Sequence, residues 1–367
     1  MKSLRLAVAA VLIFVTINAT CILFAQGQGP AQQPDRTIDS AERDAVIDGL
    51  IKLLNDNYVF PDTAKKMEDA LRTHQQNKEY DNITSAISFV QTLTKDLQDV
   101  SHDKHLRMFY SFQAVPPRDP QSGPSPEQIA QQREQLRTTN YGFEKLERMD
   151  GNIGYLELRG FTPASEAAET IVAAMNFLAN TDALIIDLRR NGGGAPATVQ
   201  LIASYLFDGD NAHLNDLYFR GDGSTRQWWS LPYVPGKRYG RSKPVYILTS
   251  NRTFSAAEEF TYDLQNLKRA TIVGEVTGGG ANPGGTRRIT DHFGAFIPTG
   301  RAINPVTKTN WEGVGIKPDI EVPADKALKT AQLAALKEIV QKVTDEQRKN
   351  GIQHAIDSLQ KEMDGSR

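Results

Sequence analysis

The chain has 367 residues, of which 40% are hydrophobic and 23% are charged. This composition is typical of a soluble globular protein with room for two or three domains. The formal net charge is −2, so no overall electrostatic field favours binding to nucleic acid or to an anionic membrane. We therefore expect no nucleic-acid partner, and the function has to be found in individual motifs.

The first 25 residues have the pattern of an export signal. Lys2 and Arg5 precede an apolar run from Leu6 to Ala25. The pattern predicts cleavage after Ala25 and a periplasmic or secreted protein. An uncleaved membrane anchor is the alternative, because the run approaches the roughly 20 residues that span a bilayer. Cys21 is the only cysteine, so the mature protein would have no thiol for a disulfide, a cysteine nucleophile or a zinc–thiolate site.

The rest of the chain divides by composition and hydrophobic spacing. Ser40 to Arg43 offers a helix cap, and apolar residues recur at helical spacing after it. Residues 114–137 are rich in proline and glutamine, which predicts a linker and not a core element. The predicted segments are a disordered leader (26–38), an N-terminal helical domain (39–110), a Pro/Gln-rich linker with a connecting strand (111–150), an α/β core (151–323) and C-terminal helices (324–367).

From residue 152 onward, predicted strands and helices alternate along the chain. This order favours parallel βαβ units in an α/β domain. The predicted strands cover 153–158, 183–188, 245–248 and 270–273, and the predicted helices cover 164–178, 196–207 and 256–267. Further β-like segments are predicted at 286–290, 295–298 and 320–322.

A serine occupies the junction between a predicted buried strand and the helix after it. Ser255 lies in the segment TSNRTFSAAEEF, residues 249–260. At such an elbow a hydroxyl sits at the positive end of the helix dipole, beside free backbone N–H groups, which suits a nucleophile that generates an oxyanion. Ser255 to Glu258 also match a capping box, so a purely structural helix cap is the alternative.

A glycine-rich segment follows the second core strand. In DLRRNGGG, residues 187–194, the glycines would allow the backbone to approach a ligand closely, or would simply form a tight turn into the next helix. A phosphate loop is disfavoured, because no GK[ST] triplet follows and no dinucleotide fingerprint is complete. Gly278 to Gly280 give a similar but weaker pattern.

Six histidines are candidates for a general base. His102 and His105 are three residues apart, a spacing that also occurs in metal sites, but no third ligand is evident nearby. We therefore predict no metal. Glu312, in the turn-rich segment NWEGVGIKPD at 310–319, has by itself the pattern of a surface carboxylate.

Taken in this order, the motifs resemble those of the C-terminal processing (tail-specific) protease family. IIDLRRNGGG resembles its glycine-rich oxyanion segment, LTSNRTFSAAEEF followed by ATIVGEVTGGG resembles its nucleophile segment and the next strand, and GVGIKPDIEVP resembles its closing motif. The resemblance covers roughly residues 40–335. It implies an α/β fold with a crotonase-like (ClpP/crotonase-type) core, an N-terminal helical domain and C-terminal helices. It also implies cleavage of peptides or unfolded protein tails without a cofactor.

The family has two styles of active site, and the chain departs from the commoner one. In the Ser/Lys branch a lysine base lies in the glycine-rich segment after the VGE strand, whereas residues 277–281 here contain no lysine. The other branch, which includes the tricorn protease core and the repeats of interphotoreceptor retinoid-binding protein, is more similar. Its tricorn-like peptidases use a histidine from a D-x-H-like segment and a late glutamate. Asp103-Lys104-His105 and Glu312 occupy those places.

The resemblance implies a Ser/His/Glu site. His105 would take the proton of Ser255 and later give it to the leaving amine. Glu312 would orient the imidazole, either directly or through an intervening hydroxyl. His102 is the rival base. Because His105 lies far from Ser255 in sequence, the helical domain has to pack against the core to complete this site.

The resemblance also implies where the oxyanion and the substrate would bind. The backbone N–H groups of Gly193 and Ala256 would hold the oxyanion, with Gly192 as the close alternative to Gly193. A substrate peptide would add as a strand at the sheet edge near residues 284–290, where the candidate contacts are Gly284, Gly285 and Thr286.

Two other functions are weighed against a peptidase. The retinoid-binding relatives imply a catalytically inactive binder of hydrophobic small molecules, such as retinoids or fatty acids. A binder would need none of Ser255, His105 and Glu312, so their joint presence favours the peptidase. The glycine loops leave nucleotide binding as a third alternative.

Overall fold

The computed structural model describes residues 34–117 and 123–365. The predicted signal at 1–25 and residues 26–33 of the predicted leader lie outside these ranges. Within them, no helix has the length and apolarity that a membrane crossing requires.

The N-terminal part of the chain forms three helices and a strand, namely α1 (Ser40–Asn57), α2 (Pro61–Gln76), α3 (Ala86–Ser101) and β1 (Arg107–Tyr110). The cap of α1 is Asp39, whose side chain accepts the N–H of Glu42, and not the predicted Ser40 segment. Ser85 caps α3 in the same way, by accepting the N–H of Ser88. The apolar faces of the three helices pack together and define the helical core that the spacing predicted.

The expected linker contains a helix, α4 (Pro126–Thr138), followed by strand β2 (Phe143–Met149). This helix was not predicted, since residues 114–137 were expected to form a linker outside the core. Ser125 caps α4 through a complete capping box with Gln128, and Pro126 fits the first helical position, where its missing N–H costs nothing. Leu136 is the only buried residue that α4 contributes, so the helix lies on the surface.

A six-stranded sheet with the order β12-β8-β7-β4-β3-β2 forms the centre of the core. All its pairings are parallel except that of β2 with β3. Its remaining strands are β3 (Ile153–Leu158), β4 (Ala183–Asp187), β7 (Val245–Thr249), β8 (Thr271–Gly274) and β12 (Ile320–Glu321), which confirms the predicted alternating α/β order.

Helices cover both faces of this sheet. Leu184 and Ile186 of β4 pack against one group of helices, whereas Ala183 and Ile185 pack against another, because successive side chains of a strand point to opposite faces. The first group is α5 (Ala164–Leu178), α6 (Pro196–Tyr205) and α7 (Ala256–Asn266), and the second is α8 (Ala327–Lys342) and α9 (Glu346–Gly365). Burial on both faces explains why these strands are continuous apolar runs.

Two small antiparallel sheets complete the described structure. One has the order β11-β5-β6 and the other β1-β10-β9. Their remaining strands are β5 (His213–Phe219), β6 (Thr225–Trp229), β9 (Gly284–Arg288), β10 (Phe293–Pro298) and β11 (Gly300–Ile303). Strands β1, β5, β6 and β11 were not predicted from the sequence. The pairing of β1 with β10 joins the helical domain to the core, with Arg107 opposite Phe296.

Helix α7 carries two buried carboxyl groups one turn apart, Glu259 and Asp263. The amide of Asn215 donates to Glu259 and that of Asn304 donates to Asp263, at 3.2 and 3.3 Å. Burial raises the pKa of both groups, and the charge of Glu259 raises that of Asp263 further. One proton shared between the two carboxyls would leave a single charge to bury.

The substitution Asp263→Asn tests this pair. Since the folded chain holds protons that the unfolded chain releases, the free energy of unfolding falls as pH rises above the ordinary carboxyl range. In the variant the free energy of unfolding should fall much less with pH, and at about pH 8 it should exceed that of the wild type by roughly 1–3 kcal/mol. Urea unfolding at a series of pH values measures this pH dependence in both proteins. Asp357→Asn, at an exposed position, should leave the pH dependence unchanged.

Candidate active site

The elbow between β7 and α7 is tied to the glycine-rich segment that follows β4. The hydroxyl of Thr253 donates to the carbonyl oxygen of Leu188 at 2.8 Å, and the N–H of Phe254 donates to that of Asn191 at 3.0 Å. Both segments begin where parallel strands end, at the same edge of the sheet. That edge is where α/β proteins place their ligands.

Ser255 has a strained backbone at the start of α7, with φ 58° and ψ −124°. A residue with a side chain rarely adopts this conformation, which is held here by the surrounding hydrogen bonds. The N–H of Ser255 donates to Oε2 of Glu258 at 2.9 Å, and its carbonyl accepts the N–H groups of Glu258 and Glu259. Ser255 is half-buried. Because it is the N-cap of α7, its hydroxyl lies near the positive end of the helix dipole.

The glycine-rich turn packs directly on this serine. Gly193 has a φ of +107°, and a Cβ built there would lie 2.8 Å from Cβ of Ser255, so only glycine fits. The N–H of Gly193 donates to Oδ1 of Asn191 at 2.9 Å. Among the described residues, no hydrogen bond engages the N–H of Gly192 or Ala256. Of the three predicted oxyanion donors, Gly193 is thus occupied by a side chain, and Gly192 and Ala256 are not.

His105 lies just before β1 and packs beside the elbow. Its ring centroid is 4.6 Å from that of Phe254, the residue before Ser255, and 5.7 Å from that of Phe296. Nδ1 is buried and has no hydrogen-bond partner. Burial, helped by the charge of Arg107, lowers the pKa of His105 to about 3, so the ring is neutral at ordinary pH.

Glu312 completes a cluster with His105 and Asp103, in which one ligand atom of each residue lies within 4.8 Å of the others. Oε2 of Glu312 accepts the N–H groups of Ala281 and Asn282 at 2.6 and 3.0 Å, whereas its Oε1 is buried without a partner. Burial and then the charge of Asp103 raise the pKa of Glu312 to about 8. The interpretation of Glu312 as a surface carboxylate is therefore wrong.

This spacing would also suit a small metal ion. Asp103, however, is already engaged by neutral donors, which are the hydroxyl of Tyr58, the amide of Asn282 and the N–H of His105. These three hydrogen bonds occupy most of the acceptor sites of Asp103, which favours a hydrogen-bonded role over metal ligation.

His102 does not join the cluster. It ends α3 in a left-handed conformation with φ 56°, donates its N–H to the carbonyl of Gln98, and is exposed. The HxxH pair therefore does not bring its two rings into one site.

Glu258 is a buried residue that sequence reasoning treated only as half of a capping box. Its carboxylate accepts the Ser255 N–H, the Thr277 hydroxyl at 2.5 Å and the N–H groups of Gly279 and Gly280 at 2.6 and 2.8 Å. It thereby fixes the glycine loop after β8 to the serine elbow. The capping-box spacing identified this carboxylate, but nothing in the sequence indicated its loop partners.

The predicted substrate edge continues from the same loop. Gly284, Gly285 and Thr286 begin β9, which pairs with β10 on one side and is the last strand of its sheet in the described structure. The run from Thr277 to Arg288 therefore connects the Glu258 and Glu312 anchors to a strand edge.

Two family models match the chain. The N-terminal domain of peptidase S41 in eukaryotic IRBP matches residues 40–141, and peptidase family S41 matches residues 152–322. The chain belongs to peptidase family S41. The elbow, the glycine-rich turn and Glu312 lie in the second match, and His105 lies in the first.

Curated relatives of this S41 chain are processing peptidases. Carboxyl-terminal-processing peptidase 1 of Arabidopsis thaliana, a chloroplastic protein, is 28% identical over 183 residues, which are 49% of this chain and 35% of the relative. The tail-specific protease of Haemophilus influenzae is 34% identical over 104 residues, which are 27% of this chain and 13% of the relative. The match thus spans about a third of the Arabidopsis protein and less of the bacterial one.

Solved structures share the fold of the S41 chain at low identity. A Parabacteroides merdae protein described as a candidate peptidase has a TM-score of 0.57 and 19% identity, and the match covers 80% of this chain and 96% of that one. Mature CPAF has a TM-score of 0.55 and 14% identity, with 87% and 96% covered. Both likenesses concern the fold alone.

Gly280→Ala tests the packing of the S41 site. An added Cβ would overlap the Phe254 ring and lie 2.8 Å from Cε1 of His105. We expect a loss of roughly 1–3 kcal/mol in the free energy of unfolding and shifted His105 ring resonances. Chemical denaturation and NMR spectra measure both. Gly221→Ala, where a Cβ meets nothing within 4 Å, should change neither, and an unchanged Gly280→Ala would contradict the described packing.

Proposed function

We propose that the chain is an exported serine endopeptidase that hydrolyses peptide bonds in peptides or unfolded protein tails through Ser255, His105 and Glu312. One observation carries the proposal. Beside a strained serine elbow, two buried polar atoms without partners, Nδ1 of His105 and Oε1 of Glu312, belong to groups whose ligand atoms lie within 4.8 Å. Such unsatisfied groups cost stability in a folded protein, and they persist at sites where chemistry uses them.

In the acylation step, Oγ of Ser255 attacks the carbonyl carbon of the scissile bond while Nε2 of His105 accepts the hydroxyl proton. The ionised Glu312 accepts Nδ1–H, which leaves Nε2 free to act as the base and stabilises the imidazolium that forms. The imidazolium then protonates the leaving amine. Water repeats the sequence to release the acyl group and restore Ser255.

The oxyanion would be held at the start of α7. The N–H of Ala256 and that of Gly192 are the donors that the hydrogen bonding leaves open, and the helix dipole adds to them. Gly193 stays a candidate donor if its bond to Asn191 is exchanged for the substrate oxygen. Each such donor is worth about 10²–10³ in rate.

A substrate segment would lie along β9 as an additional strand. Gly284, Gly285 and Thr286 offer an open edge, and β9 follows directly from the loop that Glu258 and Glu312 anchor. Main-chain pairing of this kind tolerates many side chains and suits unfolded ends. The names of the Arabidopsis and Haemophilus relatives support the same substrate class.

The remaining parts of the proposal concern fold family, location and chemistry. The core is assigned to the crotonase-like class, on the strength of its twice-covered parallel sheet. Export is supported by the basic and apolar pattern of residues 1–25. The mechanism needs no cofactor, because the nucleophile, base and oxyanion donors are all protein groups.

Covalent labelling with a fluorophosphonate probe tests the assignment of Ser255. We expect the purified protein to be labelled at Ser255 and the variant Ser255→Ala to be unlabelled. His105→Ala should lower the labelling rate by at least about 10²-fold, because the base is lost. Mass spectrometry of the labelled peptide gives both the site and the rate.

His102→Asn is the matched control, since asparagine tolerates the left-handed conformation of this position. Its labelling rate should stay within about twofold of wild type if His102 has no role as a base. Folded wild-type protein that is never labelled at any pH would reject the peptidase and favour a binder of apolar ligands on the same fold.

The labelling rate should rise with pH and level off above about pH 8. The pKa of Glu312 is raised to about 8, so this group is neutral below that value and accepts the Nδ1 proton only above it. His105, with a pKa lowered to about 3, does not titrate in this range. Glu312→Gln should be slow and lack the rising limb, and an unchanged limb in that variant would remove Glu312 from the mechanism.

A further inference from the structure

Asp103 is a fully buried carboxylate that the proposed reaction does not use. It is 0% exposed, and its oxygens accept from the Tyr58 hydroxyl at 3.1 Å, the Asn282 amide at 2.9 Å and the His105 N–H at 3.0 Å. All these donors are neutral. Burial raises the pKa of this carboxyl, whereas the three donors each favour its ionised form, which has no paired cation in the described structure.

The donors of Asp103 connect the parts of the site. Tyr58 ends α1, His105 supplies the imidazole, and Asn282 also donates its backbone N–H to Oε2 of Glu312 at 3.0 Å. Asn282 therefore touches both carboxyl groups at once. The carbonyl of Tyr58 in turn accepts from Arg220 of the core at 2.6 Å, so the contact spans the helical domain and the core.

Glu312 faces other carboxyl groups, whereas the cations of the neighbouring segment lie exposed at the surface. Among the described residues, the carboxyl groups facing Glu312 are Asp103 and, more weakly, Glu258, and the other ionisable groups of the cluster are the neutral ring of His105 and the phenol of Tyr58. The cations of the same segment, Lys104 and Arg107, are exposed. The ammonium of Lys104 donates to the carbonyl of Gly278 at 2.6 Å and not to either carboxylate.

We propose that Asp103 is a positioning residue of the Ser255 site. Its hydrogen bonds hold His105 and the loop of Asn282 in place, and its negative charge controls the protonation of Glu312. The inference rests on the proposed function. Like charges a few ångströms apart in a poorly solvated site cannot both ionise easily, so the carboxylate of Asp103 makes Glu312 retain its proton. The pKa of Glu312 is indeed raised first by burial and then by Asp103.

A charge-removing variant separates this role from simple scaffolding. Asp103→Asn keeps the size and most hydrogen-bonding capacity but removes the charge. We expect the rising limb of the probe-labelling rate to move at least about one pH unit lower, together with a lower plateau rate from imperfect positioning. Asp103→Ser, a smaller neutral variant, should move the limb in the same direction and replaces Asp103→Asn if that chain does not fold.

Tyr58→Phe is the control, because it removes one hydrogen bond to Asp103 and leaves the charge in place. If Asp103 acts only by holding the segment, Tyr58→Phe and Asp103→Asn should both lower the plateau and leave the limb where it is. A limb that moves down in the neutral Asp103 variants alone supports the proposal. A limb that stays within about 0.3 pH units in all of them overturns it.

A readout independent of catalysis distinguishes this failure from failure of the peptidase assignment. The infrared carboxyl band of Glu312, identified by its absence in Glu312→Gln, is titrated in wild type and in Asp103→Asn. A band that titrates at lower pH in Asp103→Asn supports the charge coupling even if the probe never labels Ser255. A band that titrates identically in both proteins rejects the coupling even if labelling is normal.

Discussion

The antiparallel pairing of β1 with β10 is the constraint on which the candidate site depends. It is the main-chain joint between the N-terminal helices and the core, and His105 lies two residues before β1 begins. The apolar side chains of β10 belong to the helical core, so their burial stabilises the joint in addition to the hydrogen bonds of the strand pairing. Contacts between the two parts outside the pairing, such as that of Arg220 with the carbonyl of Tyr58, reinforce this joint.

Two glutamates, the buried Glu258 and the half-buried Glu312, hold successive parts of one loop on the other side of the site. Glu258 holds its glycines to the elbow, and Glu312 holds the next two residues, Ala281 and Asn282, beneath the imidazole. In each case a carboxylate accepts several backbone N–H groups that the loop could not otherwise satisfy. The loop has no regular secondary structure, and these carboxylate acceptors hold it in place. One oxygen of Glu312 remains without a hydrogen-bond partner.

The sequence predicted those features that local pattern determines. The strands of the central sheet are buried on both faces and therefore continuous in hydrophobicity, and the serine elbow has turn and cap chemistry within a few residues. Strands β5 and β6, although joined by a short turn, were missed, and β1 and β11 were missed because their partners lie far away in the chain. For the same reason Asp103 was named only as part of a motif, and its contact with Asn282, 179 residues away, could not be foreseen.

The residues of the proposed active site belong to two parts of the fold, one built from local contacts and one from long-range contacts. His105 belongs to a helical unit built from local contacts, whereas Ser255 and Glu312 require the long-range parallel sheet, which forms slowly. A chain emerging from synthesis therefore carries a serine with no imidazole beside it. A peptidase built on the proposed site would become active only after both parts have folded, which would protect the chain against premature self-digestion.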